Sequence, residues 1–242
     1  MTTFKRALPF MAALLFATTP SWAVLELTPL VQVDVGIMGN TQILMPDVIP
    51  TENPDQFDLT GQMMMPGMWN LTWDMTIDTD PFINGVFGLT NMSGSTQTFV
   101  LNVTIPITPV TPSSLIGGSV GGSVTDANND GVATVANAGA APLFDGQIDG
   151  VSVLPIIGSP FAFSAPFQGG TANIPATNVG LPGPTLPGPA ALNSIGINHV
   201  FTLTPGDTVA LTSFFVVEVP QPATLALLGA GIMAIVGVKR RA

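Results

Sequence analysis

A strict alternation of apolar and polar residues runs through residues 69–78. This is the pattern of a half-buried β-strand, with one face turned to a core and the other to solvent. The apolar face consists of Trp69, Leu71, Trp73, Met75 and Ile77. Residues 98–107 alternate in the same way, and residues 83–90 lie between two turn-forming segments that separate the alternating runs. The pattern therefore predicts a three-stranded antiparallel meander over residues 69–107.

Further strand-like segments lie on both sides of this meander. They are residues 25–35, 115–125, 132–136, 147–154, 161–167, 195–203 and 208–218, the last two joined by a turn at Pro205-Gly206-Asp207. Residues 36–58 are predicted to be a loop with weak strand content. About ten short strands separated by turns predict an all-β protein, a single antiparallel β-sandwich of jelly-roll-like or immunoglobulin-like type.

Residues 168–194 interrupt the strand pattern with many glycines and prolines, as in Gly180-Leu181-Pro182-Gly183-Pro184. We expect a long loop here, and a loop of this length in a compact domain is usually functional. We do not expect either flanking segment to fold on its own. Residues 24–218 are therefore predicted to form one body.

The N-terminal segment has the three ordered regions of a secretory signal peptide. Lys5 and Arg6 form a basic region, residues 7–17 are largely apolar, and small residues occupy Ser21 and Ala23. We therefore expect residues 1–23 to form a signal helix that directs export by the Sec machinery, with cleavage by signal peptidase after Ala23.

The C-terminal segment, residues 219–242, combines a proline-containing start, an apolar run and a basic end. The start is Val219, Pro220, Gln221, Pro222, Ala223 and Thr224, and the basic end is Lys239, Arg240 and Arg241. A helix over residues 223–238 would be about 24 Å long, just short of the ~30 Å hydrocarbon core of a membrane. We therefore expect a transmembrane helix whose basic end stays in the cytoplasm.

This order of a Pro-x-Pro tripeptide, an apolar run with glycines and a terminal basic cluster resembles the PEP-CTERM sorting signal. The resemblance implies that an exosortase, a membrane protease, recognises and cleaves the tail near the tripeptide. It also implies a Gram-negative producer that makes exopolysaccharide, with the precursor anchored in the inner membrane before processing. Gln221 stands where this signal usually has Glu.

Charge is distributed very unevenly along the chain. All five Lys and Arg residues lie in the two end segments, whereas all 15 Asp and Glu residues lie between Glu26 and Glu218. Such an acidic body disfavours nucleic acid and other polyanions as partners, and it fits divalent cations, neutral sugars or a basic protein face. The chain has no cysteine, so its stability cannot depend on disulfides.

One segment has the spacing of half a calcium-binding loop. Asp126, Asn128 and Asp130 place oxygens at positions 1, 3 and 5, and Gly131 permits the sharp bend that such a loop needs. The backbone carbonyl of Val132 and the hydroxyl of Thr134 complete the candidate set. Position 12 is Asn137, so the bidentate carboxylate would have to come from elsewhere; the nearest acids are Asp145 and Asp149. The alternative is an Asx-rich turn without a metal.

The remaining candidate residues do not match any known set of catalytic side chains. The body holds no cysteine or lysine and no G-x-S-x-G motif, so we expect no enzymatic activity. The single histidine, His199, is expected to be a structural strand residue. Met63, Met64, Met65 and Met68 are expected to fill the core or a loop rather than bind copper. Trp69 and Trp73 are expected in the core rather than on a sugar-stacking platform.

The sequence therefore favours an exported cell-surface or extracellular-matrix protein with a structural or exopolysaccharide-associated role. The alternative is a carbohydrate-binding or ice-binding β-sandwich module, and a hydrolase is the third hypothesis. Regular Thr-x-Thr ladders would favour ice, and the sequence shows only scattered threonines such as Thr72 and Thr76. No cofactor other than calcium is expected.

Overall fold

The computed structural model describes residues 32–37, 40–44 and 48–220, and all of its regular structure is antiparallel β-sheet. The strands are β1 (Gln32–Ile37), β2 (Asn40–Leu44), β3 (Ile49–Pro50), β4 (Gln56–Met65), β5 (Trp69–Asp78), β6 (Phe82–Asn91), β7 (Gln97–Pro106), β8 (Ser114–Thr125), β9 (Thr134–Asn137), β10 (Phe144–Ile148), β11 (Val151–Ile156), β12 (Ala162–Ser164), β13 (Thr171–Val179), β14 (Leu186–Gly188), β15 (Ser194–Leu203) and β16 (Thr208–Glu218). Within these ranges, no helix has the length and apolarity needed to cross a membrane.

The strands form two sheets of eight. Sheet 1 has the order β11-β10-β15-β7-β1-β2, with β9 also pairing with β15 and β12 with β9. Sheet 2 has the order β13-β8-β16-β6-β5-β4-β3, with β14 also pairing with β8. The sixteen strands of the described residues exceed the seven to nine of an immunoglobulin domain and the eight of a jelly roll. The predicted all-β antiparallel class is confirmed.

The core lies between the inner faces of the two sheets. Alternate side chains of each strand point into it because successive residues of a strand face opposite sides of the sheet. Leu71 and Leu211 of sheet 2 and Leu101 and Ile197 of sheet 1 belong to the same buried cluster, and none of them is more than 1% exposed. The opposing faces touch directly at the rings of Phe87 and His199, whose centroids are 5.9 Å apart.

The predicted meander is only partly correct. β5 has the predicted bounds, and β6 pairs with it along its whole length. β7, however, lies in sheet 1 between β1 and β15. The far side of β6 is taken by β16, so the chain crosses to the other sheet after Asn91. Alternation predicts which residues of a strand face the core. It does not predict the sheet to which the strand belongs, and β6 and β7 face the core from opposite sheets.

The real neighbour of β5 on its other side is β4, in a region that the sequence analysis assigned to loop up to residue 58. Its inward positions include Gly61, which breaks the apolar pattern. The ring of Trp73, directly opposite in register, fills this position, and a Cβ on Gly61 would overlap that ring. The missing side chain is therefore part of the packing, and residues 56–65 are a strand.

Two further predictions are wrong. Residues 168–194 are not one long loop, because they contain β13 and β14 along the edge of β8. Residues 147–154 are not one strand, because Asp149 and Gly150 form a two-residue turn between β10 and β11. Both turn residues have positive φ, 51° and 76°, as a type I′ hairpin requires.

The predicted signal peptide, residues 1–23 with cleavage after Ala23, lies outside the described residues, as does the first part of the strand predicted at 25–35. The described part of the chain ends at Pro220, so the predicted helix over 223–238 and the basic residues 239–241 also lie outside it.

Candidate functional site

The outer face of sheet 2 presents the residues that alternate with the core positions of β8, β13 and β16. Pairing register sets Thr212 opposite Gly121, and Phe214 opposite Ser119. On the far side of β8, Asn178 of β13 lies opposite the same Ser119. Since opposed residues in a sheet point to the same face, these side chains form one continuous surface.

A shallow cleft with a volume of about 350 Å³ lies on this surface. Its lining is uncharged and mixed: Ser119, Asn173, Asn178 and Thr212 contribute polar side chains, and Ala176 contributes an apolar one. Both asparagines and Thr212 are exposed, and Ser119 is half-buried. The cleft is therefore open to solvent and lined by groups that form hydrogen bonds.

The cleft has its shape because of an irregularity in β13. The β13–β8 register shifts between Ile174 and Thr177, so Pro175 and Ala176 bulge out of the ladder. Proline has no backbone N–H to pair, and the bulge lies on an edge strand, where this loss is tolerated. Ala176 closes over Gly121 so tightly that a Cβ added to Gly121 would lie 3.0 Å from the Ala176 Cα.

A row of threonines crosses the same outer face. Thr90, Thr208, Thr125 and Thr171 are opposed in register from β6 through β16 and β8 to β13. Their hydroxyls bond in pairs, at 2.8 Å between Thr90 and Thr208 and 3.0 Å between Thr125 and Thr171. The sequence analysis regarded the threonines as scattered because this row runs across strands rather than along one.

In the candidate calcium loop, the aspartate carboxylates accept hydrogen bonds from backbone N–H groups, most of them in the loop itself. The Asp126 carboxylate accepts hydrogen bonds from the backbone N–H groups of Asp130, Gly131 and Gly169, at 3.2, 2.8 and 2.8 Å. The Asp130 carboxylate accepts one from the Val132 N–H at 2.8 Å and one from the Asn128 amide at 2.9 Å. These are the bonds of an Asx-rich turn, and they tie both carboxylates to backbone N–H and side-chain amide groups.

The pKa values of two carboxyl groups at this loop shift in opposite directions. Burial on its own raises the pKa of Asp126, but hydrogen bonds from Gly169, Gly131 and other backbone N–H groups outweigh it and hold that pKa below its usual value. Burial raises the pKa of Asp207, which is fully buried, and the charges of Asp130 and Asp126 raise it further. Among residues 48–220, no group of three or more acidic or histidine side chains is arranged to hold a metal ion.

The acids considered for completing a calcium site have other partners. Asp145 accepts a hydrogen bond from the Ser152 hydroxyl at 2.6 Å. Asp149 accepts bonds from the backbone N–H groups of residues 192–194 at 2.7 to 3.0 Å, and these bonds hold its pKa below the usual value despite the opposing effect of burial. Thr134 bonds to Ser164 at 2.8 Å, on the pairing between β9 and β12.

Replacing Asp126 with alanine is expected to lower the thermal unfolding midpoint by several degrees, since three backbone N–H groups lose their acceptor. Millimolar calcium is expected to leave the midpoint of the unmodified chain unchanged. Thermal scans of the full chain with calcium and with a chelator measure both effects. Asp74→Ala, an exposed carboxylate on β5, is the matched control. A midpoint that rises with calcium in the unmodified chain and not in Asp126→Ala would instead identify the loop as a cation site.

His199 forms a buried pair with Ser213 that the sequence analysis did not foresee. Its Nδ1–H donates to the Leu143 carbonyl at 2.9 Å, which leaves Nε2 to accept from the Ser213 hydroxyl at 2.9 Å. Burial lowers the pKa of His199 to about 4, against the opposing effect of the Leu143 bond. Both side chains are 0% exposed, so no substrate reaches them. The pair joins β15 to β16 across the core.

The tryptophans and methionines lie where packing places them. Trp69 is fully buried, and Trp73 is half-buried against the core. Met63, Met65 and Met68 pack on the same core, while Met64 points to solvent and is 51% exposed. The side chains of Met63, Met64 and Met65 are thus divided between the two faces of β4, and Met68 lies in the turn that follows it.

The sorting tail begins where the last strand ends. β16 runs from Thr208 to Glu218 and is a central strand, paired with β6 on one side and β8 on the other. Residues 218–241 match the family model of the PEP-CTERM protein-sorting motif. This match confirms the resemblance predicted for the tail and covers only this end of the chain. No curated protein matches the chain.

Proposed function

We propose that this chain is an exported protein of the cell surface or extracellular matrix, processed by an exosortase at its tail, with a structural body that associates with exopolysaccharide. The observation that carries the proposal is the PEP-CTERM protein-sorting motif at residues 218–241. A sorting motif of this kind indicates an exported precursor that is anchored in a membrane before it is processed.

The position of the motif supports processing without damage to the fold. The last residue paired in sheet 2 is Glu218, opposite Leu115 of β8. A cut within Val219, Pro220, Gln221, Pro222, Ala223 and Thr224 would therefore remove no residue of the sheets. The processed body would keep its complete core, which fits a protein that works after release from its anchor.

The charge of the body supports a structural rather than a catalytic role. It carries 15 carboxylates and no Lys or Arg between residues 7 and 238. Its one Ser–His pair is sealed in the core, where it forms structural hydrogen bonds. Such a body repels polyanions and presents hydroxyl and amide groups to its surroundings, which suits a neutral matrix polymer.

Intact-mass measurement of the protein recovered from producing cells tests the proposal. We expect a chain that begins at Val24 and ends within residues 219–224, because both end segments are removed. Replacing Pro220 and Pro222 together with alanine is expected to leave the tail attached, since the tripeptide is lost. The matched control, Gln221→Glu, restores the usual tripeptide and is expected to be processed at least as fully as the unmodified chain.

Two results would contradict the proposal. One is a full-length chain found soluble in the cytosol. The other is unchanged removal of the tail from the double-alanine variant, since cleavage would then not depend on the motif.

A further inference from the structure

We infer that the cleft between β8, β13 and β16 binds a segment of a neutral polysaccharide. The inference deepens the proposed exopolysaccharide association by assigning it a site and a class of ligand. Four properties of the cleft carry it: shape, unused hydrogen-bonding groups, an adjacent aromatic pair and absence of charge.

The cleft has a size and shape suited to a short stretch of polymer. Its volume of about 350 Å³ lies in the range of ligand pockets, about 300–1,000 Å³. The exposed side chains of Asn173, Asn178 and Thr212 leave it open to solvent, so a polymer that binds there need not end inside it. The β13 bulge places Ala176 over Gly121, and these two residues together bound one side of the cleft.

The polar side chains in the cleft are free to bind a ligand. Within the described part of the chain, the side chains of Ser119, Asn173, Asn178 and Thr212 make no hydrogen bond to another protein group. The neighbouring threonines behave differently, since Thr90 and Thr125 bond to Thr208 and Thr171. A carboxamide both donates and accepts, as does a hydroxyl. This combination matches the hydroxyl groups of a sugar ring, which also do both.

An aromatic pair borders the polar groups. Phe214 lies opposite Ser119 in register and two residues from Thr212 on the same outward face. Its ring is half-buried against Phe82, with centroids 5.9 Å apart and planes at 39°. Packing against Phe82 holds the Phe214 ring in place beside the cleft. The apolar C–H face of a sugar can pack on such a ring while its hydroxyls reach the amides.

The charge of the site selects a neutral polymer. None of the residues lining the cleft is ionisable. An acidic polysaccharide would find no Lys or Arg to pair with its carboxylates and would be repelled by the 15 acids of the body. A neutral polysaccharide meets neither obstacle.

Native gels that contain a polysaccharide test the site, because binding retards the protein. The full chain, kept soluble in a mild non-ionic detergent, is run through gels containing dextran, mannan, hydroxyethyl cellulose or the polyanion alginate. We expect retardation by at least one neutral polymer and none by alginate. Asn178→Ala and Phe214→Ala are each expected to weaken binding about tenfold, as the loss of one good contact does.

Thr60→Ala is the matched control, because Thr60 is exposed on β4 of the same sheet, remote in strand order from the cleft. It is expected to bind like the unmodified chain. Asn178 is exposed, so its variant is expected to fold normally, and thermal midpoints of all variants check this. The site is overturned if none of the three neutral polymers retards the unmodified chain, or if both cleft variants bind normally. Equal retardation by alginate would overturn the selectivity.

The outcome is independent of the processing test. Normal tail cleavage with no polysaccharide binding would reject the site and leave the sorting proposal standing. Binding by a chain whose tail is never removed would reject the sorting proposal and leave the site standing.

Discussion

Lowering the pH from neutral to about 4 is expected to destabilise the fold by about 3 kcal/mol through His199 alone. Burial lowers the pKa of this side chain from 6.5 to about 4 in the folded state. The unfolded chain takes up a proton near pH 6.5, while the folded chain does so only near pH 4. The contribution of His199 to the free energy of unfolding is therefore fully present above pH 6.5. It is lost as the pH falls from 6.5 to about 4, at about 1.4 kcal/mol for each pH unit.

Urea unfolding followed by tryptophan fluorescence at a series of pH values measures this effect. The carboxyl groups of Asp78 and Asp207 act in the opposite sense, because burial raises their pKa values and protonation then favours the folded state. The variant His199→Gln separates the contributions. The variant is expected to be less stable than the unmodified chain at neutral pH, since Ser213 and Leu143 lose the imidazole as their hydrogen-bond partner. Its free energy of unfolding is expected not to fall between pH 6.5 and 5. An unmodified chain with the same pH profile as the variant would contradict the assignment.

Replacing Gly122 with alanine is expected to lower the free energy of unfolding by about 3 kcal/mol. Gly122 lies in β8 opposite Leu211 of β16, and an added Cβ would overlap the carbonyl oxygen of Ala210. That oxygen belongs to the backbone of a central strand, so no side-chain rotation relieves the overlap. The two strands must separate locally, at the expense of their ladder and of the core beneath it.

Gly94→Ala is the matched control for this prediction. Gly94 lies in the connection between β6 and β7, and an added Cβ there meets nothing within 4 Å. We expect a change within about 0.5 kcal/mol, as for an exposed substitution. Equal stabilities of the two variants in chemical denaturation would show that β8 and β16 do not approach as closely as described.

The sequence predicted strand bounds best for strands that have one face toward the core and the other toward solvent. β5 and β16 have the bounds that alternation predicted, Trp69–Asp78 and Thr208–Glu218. In β5 most apolar residues are buried and most polar ones face outward, so a period of two is visible without knowledge of any partner. β16 departs from this pattern, because Ser213 is buried in the core and Phe214 lies on the outer face.

The sequence was least informative about which strands are neighbours. β7 was predicted beside β6, yet the five residues between them take the chain to the other sheet. β13 was hidden by Pro175, which usually argues against a strand but is accommodated here at an edge bulge. Both outcomes depend on which strand pairs along each edge, and the residues of a single strand do not specify that partner.

The candidate cleft was also beyond reach of the sequence. Its walls come from three strands, β8, β13 and β16, and no spacing along the chain connects Ser119 with Thr212 or Asn178. The sequence offers one related signal, a tandem Gly-Gly-Ser-Val segment at residues 117–124, which predicts a flat or bulged strand. The calcium motif, by contrast, was visible in the sequence, although spacing alone did not predict the backbone hydrogen bonds that its carboxylates accept.

The direct connection from β16 to the tail has a mechanical consequence. A strand held on both edges over nine to eleven residues resists lengthwise pulling by loading many hydrogen bonds together instead of one after another. While the tail is still anchored, tension at Glu218 acts along this strand in shear. A pulling force on the exported body would therefore act on β16 and its two neighbours, β8 and β6, rather than on the edge strands of sheet 2.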